Sequence, residues 1–424
     1  MNANAGFVLY LVFMTSWFLH LTARIPLLGL LRFDLILVIL VSIMIFFSDR
    51  SHVANNPSES HRVLKILFLY ILVTLPFVEW PGSVVKNNLE PFVKAVVFYY
   101  FTVHLIRTER SLRTFMILFL ALQTCRVLEP VYLHITEGYW GSIASMADWE
   151  SLNRLAGAPH DTVNPNGLAY IIVTIIPMVY YLTSSVLHKV AFVGVLLPVL
   201  LYALALTESR SGEIGLGVII VCMFITSKRK FLFVILLLAI SVPLALRLDP
   251  DQVDRFTSLF DSSTRNASSV QGRLDGVERD IKVAMHRPLF GHGLGTSLEA
   301  NANFGDLDQL SHNLYAEVAQ ELGFIGLTIY LLFIKSILTS LSTALSAVRR
   351  MSTPSPFLSN LALALKVWLV MNIVFSFASY GLSTYEWYLF AGLAAALRNI
   401  ALTQSEASLL HADLGQQSVP ATGL

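Results

Sequence analysis

Apolar stretches long enough to cross about 30 Å of hydrocarbon recur along this chain, each closed by a polar break. They cover residues 6–21, 27–47, 63–78, 92–106, 112–128, 168–187, 190–206, 214–226, 231–246, 314–338, 361–377 and 385–397. Lipid offers the backbone no hydrogen-bond partners, and these runs are too long for barrel strands. The pattern therefore predicts an all-α integral membrane protein with about twelve transmembrane helices. Between Leu246 and Leu314 the series is interrupted by a long polar segment rich in Arg, Asp, Ser and Asn. Within it, Leu274, Val277, Ile281 and Met285 recur at helical spacing, which predicts an amphipathic helix over 271–286 lying along the membrane surface.

The same pattern divides the chain into N-terminal transmembrane helices (1–128), central transmembrane helices with arginine-bearing exterior loops (129–246), a polar loop (247–312), C-terminal transmembrane helices (313–400) and a tail (401–424). The tail is rich in Ser, Gln, Ala and Gly from Thr403 onward and is expected to be disordered. The first run lacks a basic leader and a small-residue cleavage site, so it reads as a retained helix. Lys and Arg in short loops are held on the cytoplasmic side during insertion. Arg50, Arg62 and Lys65, then Arg107, Arg110 and Arg113, then Lys189, Lys228 to Lys230, Arg349, Arg350 and Arg398 all fall on one side by alternation. Both termini are then inside, and the 247–311 segment is outside.

Composition agrees with the class: 55% hydrophobic residues and 13% charged ones, with a net charge of +1. Neither that charge nor any interleaving of aromatic and basic residues points to nucleic acid. Cys125 and Cys222 lie within apolar runs and are expected to be buried thiols, not a disulfide or a metal pair.

Reactive residues gather in the exterior segments. Glu129–Pro165 holds Tyr132, Tyr139, Trp140 and Trp149, which suit membrane-interface anchors, and then Arg154 ahead of the turn Asn164-Pro-Asn-Gly167. A guanidinium and backbone amides at that helix start can hold a phosphate. Thr207-Glu-Ser-Arg-Ser-Gly212 sets Glu208, Arg210 and Glu213 near membrane depth, where charges must be paired, hydrated or functional. Arg210 there either pairs with a glutamate or, flanked by Ser209 and Ser211, presents a planar donor fork to an anion. In the long loop, Asp249-Pro-Asp251 and Asp306-Leu-Asp308 superficially resemble metal-binding carboxylate pairs but suit solvated loops better. Gly291-His-Gly-Leu-Gly295 suits tight bends more than a dinucleotide site, and His292 suits a structural role. Arg279 and Lys282 can pair with Asp275 and Glu278 on the helical surface, whereas Arg273, Arg265 and Arg287 have fewer evident partners. Ser311-His-Asn313 opens a long span, and a helix N-terminus disfavours imidazolium, so a neutral His312 can act as a base. Capping by His312 and Asn313 is the plainer reading. Glu317 and Glu321, one turn apart at the membrane edge, suit contacts with basic groups or water more than chemistry, with orienting His312 the other role open to Glu317.

Arg287-Pro-Leu-Phe-Gly-His-Gly-Leu-Gly295, Ser311-His-Asn-Leu-Tyr-Ala-Glu-Val-Ala-Gln-Glu-Leu-Gly-Phe-Ile-Gly326 and the upstream Ser209-Arg-Ser-Gly212 together resemble the O-antigen ligase family, which includes O-antigen and exopolysaccharide polymerases. The resemblance implies a GT-C-like helical membrane fold with one large periplasmic loop, in the bacterial inner membrane. It implies an inverting transfer, without metal or cofactor, from an undecaprenyl-diphosphate-linked glycan to the lipid A-core oligosaccharide. The family's essential residues map onto Arg210 and His312, and its loop arginine onto Arg273. Substrate contacts are then expected from Arg154, Asn313, Ser209, Ser211, Arg265 and Arg287.

The residues support such chemistry in their own right. A departing diphosphate concentrates negative charge, which several guanidinium groups can stabilise where no metal cluster is evident. The attacking sugar hydroxyl must lose a proton, a task for a neutral His312. A polymerase with a second carrier-linked glycan as acceptor is the nearest alternative, and a protein O-oligosaccharyltransferase a more distant one. A polysaccharide flippase would line its path with intramembrane charges, whereas charges here concentrate in an exterior loop.

Overall fold

A computed structural model of the chain describes residues 3–47, 57–142, 153–227, 230–231, 267–305, 311–379 and 381–417. Every regular element among them is helical. The principal ones are α1 (Ala3–Phe18), α2 (Phe33–Phe46), α3 (Glu59–Thr74), α4 (Leu89–Leu105), α5 (Glu109–Glu137), α6 (Pro165–Leu182), α7 (Leu197–Thr207), α8 (Arg210–Thr226), α9 (Ala267–Ala284), α10 (Ser297–Phe304), α11 (Leu314–Arg350), α12 (Pro356–Phe375) and α13 (Tyr385–Gln417).

Polar residues at the breaks of the apolar pattern become caps. Ser58, Asn164, Ser209 and Ser355 each accept a backbone N–H three residues on, and Thr108 with Ser111 forms a reciprocal capping box. Proline at the first helical position sharpens α6 and α12.

Among the described residues six helices are long and apolar enough to cross a membrane, and two shorter apolar ones, α1 and α2, accompany them. The other apolar runs of the sequence form shorter, broken or more polar helices, or lie outside the described residues. The run at 27–47 is broken where Arg32 takes a left-handed conformation (φ 49°), leaving α2 with 14 residues. Helices α4 and α8 are 17 residues each, and α13 carries Glu386 and Arg398. The run at 231–246 lies outside the described residues apart from Phe231.

At the centre of the bundle lies the first half of α13, where residues 387–397 are buried on every side of the helix. A helix apolar all round must be enclosed by others. Trp368 of α12 stacks on Phe390 at 3.8 Å, and Phe333 of α11 stacks on Tyr388 at 5.8 Å.

One end of the bundle gathers the basic loops. Glu109 pairs with Arg113 and accepts from Ser355 and Gln404, while Ser352 meets Ser408. The tail expected to be disordered from 403 instead continues α13 to Gln417, because these contacts dock its first turns against the neighbouring loops. Cys125, expected buried, is exposed on the outer face of α5, and Cys222 is half-buried.

The amphipathic helix is present as α9. Ile281 and Met285 are exposed while Val283 and Ala284 are buried, so the helix has an outward apolar stripe and a packed inner face. Lys282 pairs with Glu278 as expected, and Arg279 pairs with the adjacent Asp280.

Candidate functional site

At the end of the bundle opposite the basic loops, residues 153–163 run beside the C-terminus of α7. The Leu155 N–H donates to the Leu206 carbonyl at 2.8 Å and Arg154 Nε to the Thr207 carbonyl at 2.9 Å, satisfying acceptors that a helix end leaves over. Glu208 follows in a left-handed conformation (φ 48°), reversing the chain so that α8 starts at once. Ser209 caps α8 through the Gly212 N–H, and its hydroxyl donates to Asn166 Oδ1 at 2.9 Å. Arg154 Nη2 donates to the same Asn166 oxygen at 3.0 Å, and Ser211 lies 3.1 Å from Ser209. Arg154, Asn166, Ser209 and Ser211 thus form one network around the N-terminus of α8, where Arg210 is the first helical residue and is buried. The positive end of the helix dipole adds to that charge.

A deeper ion pair pins this loop. Arg126, on α5, forms a two-pronged bridge to Asp161, Nε to Oδ2 at 2.9 Å and Nη2 to Oδ1 at 3.1 Å, with both side chains buried. Gln123 accepts from Arg126 Nη1, and Val163 N donates to Asp161. The aromatic residues differ in role. Tyr132 is exposed as an anchor would be, whereas Tyr139 donates to the Gly157 carbonyl at 2.7 Å and Trp140 packs edge-on against His134. Trp149 lies outside the described residues.

His312 is half-buried immediately before the cap of α11. Asn313 is that cap, accepting from the Tyr315 and Ala316 N–H groups, and its Nδ2 donates to the Phe377 carbonyl at 3.2 Å. Tyr315 donates to the Ile373 carbonyl at 2.9 Å. The same end of α12 meets α8: a Cβ built on Gly215 would lie 3.5 Å from the Phe375 ring. Arg210 stands five residues before Gly215, about 7.5 Å along the axis. The C-terminal end of α12 therefore meets α8 at Gly215, beyond the Arg210 turn, and meets the first turn of α11 through the Ile373 carbonyl. Glu317 accepts from the Gly381 and Leu382 N–H groups at 2.8 and 3.4 Å, fixing the turn between α12 and α13 against the first turns of α11.

The glycine-rich motif is a structural clasp. The His292 N–H donates to the Gln320 carbonyl and the Gly293 N–H to the Glu321 carbonyl, while Glu321 accepts the Gly295 N–H at 2.7 Å. Gly291 (φ 73°) and Gly323 (φ 68°) cross so closely that a Cβ on either would fall 2.4 Å or less from backbone atoms of the other strand of the crossing. At Gly323 the helical path of α11 is interrupted, separating Leu314–Leu322 from the long span. His292 is buried, stacked on Trp80 at 5.5 Å, with Nε2 against the Val283 carbonyl at 3.1 Å. Burial lowers its pKa, since a charged ring would lose hydration, and the Val283 contact opposes this in part. The structural reading of His292 fits this setting.

Arg287 forms an ion pair with Glu79 and donates to the Phe77 carbonyl at 3.3 Å, so it ties the clasp to the turn after α3. Arg273 lies in α9, two turns before Asp280, whose carbonyl accepts from Gln320. Arg265 and both Asp-x-Asp pairs lie outside the described residues. Among the described residues no group of three or more His, Cys, Asp or Glu side chains is placed to share a cation.

Sequence reasoning treated Asn166 only as a turn former, yet it is the acceptor shared by Arg154 and Ser209. Asp161 carries no signal of its role in the sequence, whereas Arg126, an arginine inside an apolar run, signals a buried partner.

Residues 169–331 match the family described as O-antigen ligase. The matched stretch contains 209–212, 287–295 and 311–326, the motifs that carry the resemblance, and leaves Arg154 outside it. No curated protein matches the chain.

Proposed function

We propose that the chain bearing this O-antigen ligase region is a membrane glycosyltransferase that moves O-antigen polysaccharide from undecaprenyl diphosphate onto the lipid A-core oligosaccharide at the periplasmic face of the inner membrane. The observation that supports the reading is that α8, opened by Arg210 within the Arg154–Asn166–Ser209 network, and the start of α11, where His312 precedes the Asn313 cap, both pack on the C-terminal end of α12. A lipid diphosphate is recognised by guanidinium groups and a helix N-terminus without base or sugar readout. In the transfer, the acceptor hydroxyl oxygen attacks the anomeric carbon as the bond to the diphosphate oxygen breaks, and inversion results. The hydroxyl proton passes to the His312 ring, and the electron pair leaves with undecaprenyl diphosphate. Arg210 stabilises the charge that grows on that leaving group, with Arg154 held beside it and Arg273 from α9 as the further loop cation. No metal or cofactor enters this scheme.

Complementation of a ligase-deficient strain tests the roles. Arg210→Ala and His312→Ala are each expected to reach the membrane normally and to lower transfer, for His312 by about 10²- to 10⁴-fold. Wild-type ladders from either variant would remove that residue from the mechanism. Loss of all attached O-antigen in the null strain supports a ligase, whereas retention of a single repeat unit assigns the polymerase reaction. Reconstitution with chelator adds a second check: activity that dies with EDTA and returns with magnesium refutes arginine-only stabilisation.

A further inference from the structure

The end of the bundle that gathers the basic loops holds a crevice unrelated to the proposed transfer site. It lies between the start of α3, the far half of α11 and α13, and has a volume of about 360 Å³. From Phe324, where the long span of α11 begins, to Thr339 is about 22 Å at 1.5 Å per residue, and the crevice lies toward the end of the bundle away from His312. Arg62 and Arg398 line it together with Thr339, Ser340, Thr343 and the carboxylate of Glu59. On the far side of Thr339 and Thr343 is a second crevice of about 650 Å³, lined by Lys335, Arg350 and Glu406 among serines and the exposed Leu338 and Leu409.

Three features select the occupant. Four basic groups and two carboxylates line the two neighbouring crevices, which leaves an excess of positive charge. The hydroxyl of Ser340 is buried and has no hydrogen-bond partner within the protein, although a helical serine ordinarily satisfies itself on the preceding turn. Apolar side chains border the second crevice at the bundle surface, where acyl chains would lie. We propose that this pair of crevices binds the headgroup of an anionic phospholipid, with the phosphodiester between Arg62 and Arg398, Ser340 and Thr343 donating to its oxygens, and the acyl chains along Leu338 and Leu409. Basic clefts between spanning helices at the cytoplasmic side suit such headgroups, and the two guanidinium groups of the first crevice exceed the single charge of Glu59.

The test uses the full chain purified in a mild detergent and then supplied with phosphatidylglycerol, cardiolipin or phosphatidylethanolamine. Native mass spectrometry and thermal melting read binding. Wild type is expected to retain phosphatidylglycerol or cardiolipin and to melt higher with them, but not with phosphatidylethanolamine. Arg62→Ala/Arg398→Ala should lower retention at least tenfold and remove the melting shift. Arg62→Gln alone, at an exposed position, keeps the fold testable and should lower retention severalfold. Equal retention by wild type and variants, or no preference for the anionic lipids, overturns the proposal. Protection by millimolar inorganic phosphate without lipid discrimination assigns the cavity to a free anion and overturns it as well.

Discussion

Replacing Gly323 with alanine probes the clasp that holds the His312 segment. At φ 68° and ψ −179° the backbone occupies a region open essentially to glycine alone, which costs any other residue about 1–3 kcal/mol. The added Cβ would also sit 2.3 Å from the Leu289 carbonyl oxygen, a backbone atom that cannot swing aside. Relief requires the two chain segments to part. That would weaken the bond from Phe324 N to the Pro288 carbonyl at 2.8 Å and from the Tyr70 hydroxyl to the Leu289 carbonyl at 3.0 Å, each worth about 1 kcal/mol net. The expected loss is about 3–5 kcal/mol. Gly217→Ala is the control, since nothing lies within 4 Å of its built Cβ and it sits inside α8. Thermal unfolding in detergent should separate the two variants by several degrees, and proteolysis across 285–296 should quicken only in Gly323→Ala. Transfer activity should fall with it, because Leu314–Leu322 carries the Asn313 cap. If Gly323→Ala melts with Gly217→Ala, the crossing is not as tight as described and the argument for the clasp fails.

Two further outcomes follow from buried charge. Asp161→Asn leaves the Arg126 guanidinium buried without its counterion and is expected to cost about 3–5 kcal/mol, while Arg126→Met/Asp161→Leu should be milder, since both charges go together; a single variant as stable as wild type in detergent unfolding refutes the pairing. For His292, burial holds the folded-state pKa below the ordinary 6.5. Its share of stability is therefore intact above about pH 6.5 and is lost as pH falls below that value, because the unfolded chain takes up the proton first. His292→Phe keeps the ring packing against Trp80 and Phe304 and should flatten this acid-side loss, as read from melting temperature against pH.

The class of the molecule, the apolar runs, the turn at 164–167 and the motifs at 209–212, 287–295 and 311–326 are legible in the chain alone. Each of these is local. Apolar length follows from bilayer thickness, and Ser, Thr or Asn before an apolar run marks a helix start wherever it occurs. Even the amphipathic character of α9 was legible, because one helix's periodicity suffices. Which segments meet is visible only in the folded chain. Nothing in residues 154, 166 and 209 reveals that one amide oxygen serves both an arginine and a serine, and Arg126 reaches Asp161 across 35 positions. Gly291 and Gly323 each read as a bend, and only their crossing shows that both lack a side chain to admit the other's backbone. Helix ends are set by neighbours in sequence, whereas long-range pairing depends on how the described helices pack against one another, and a one-dimensional pattern does not encode that geometry.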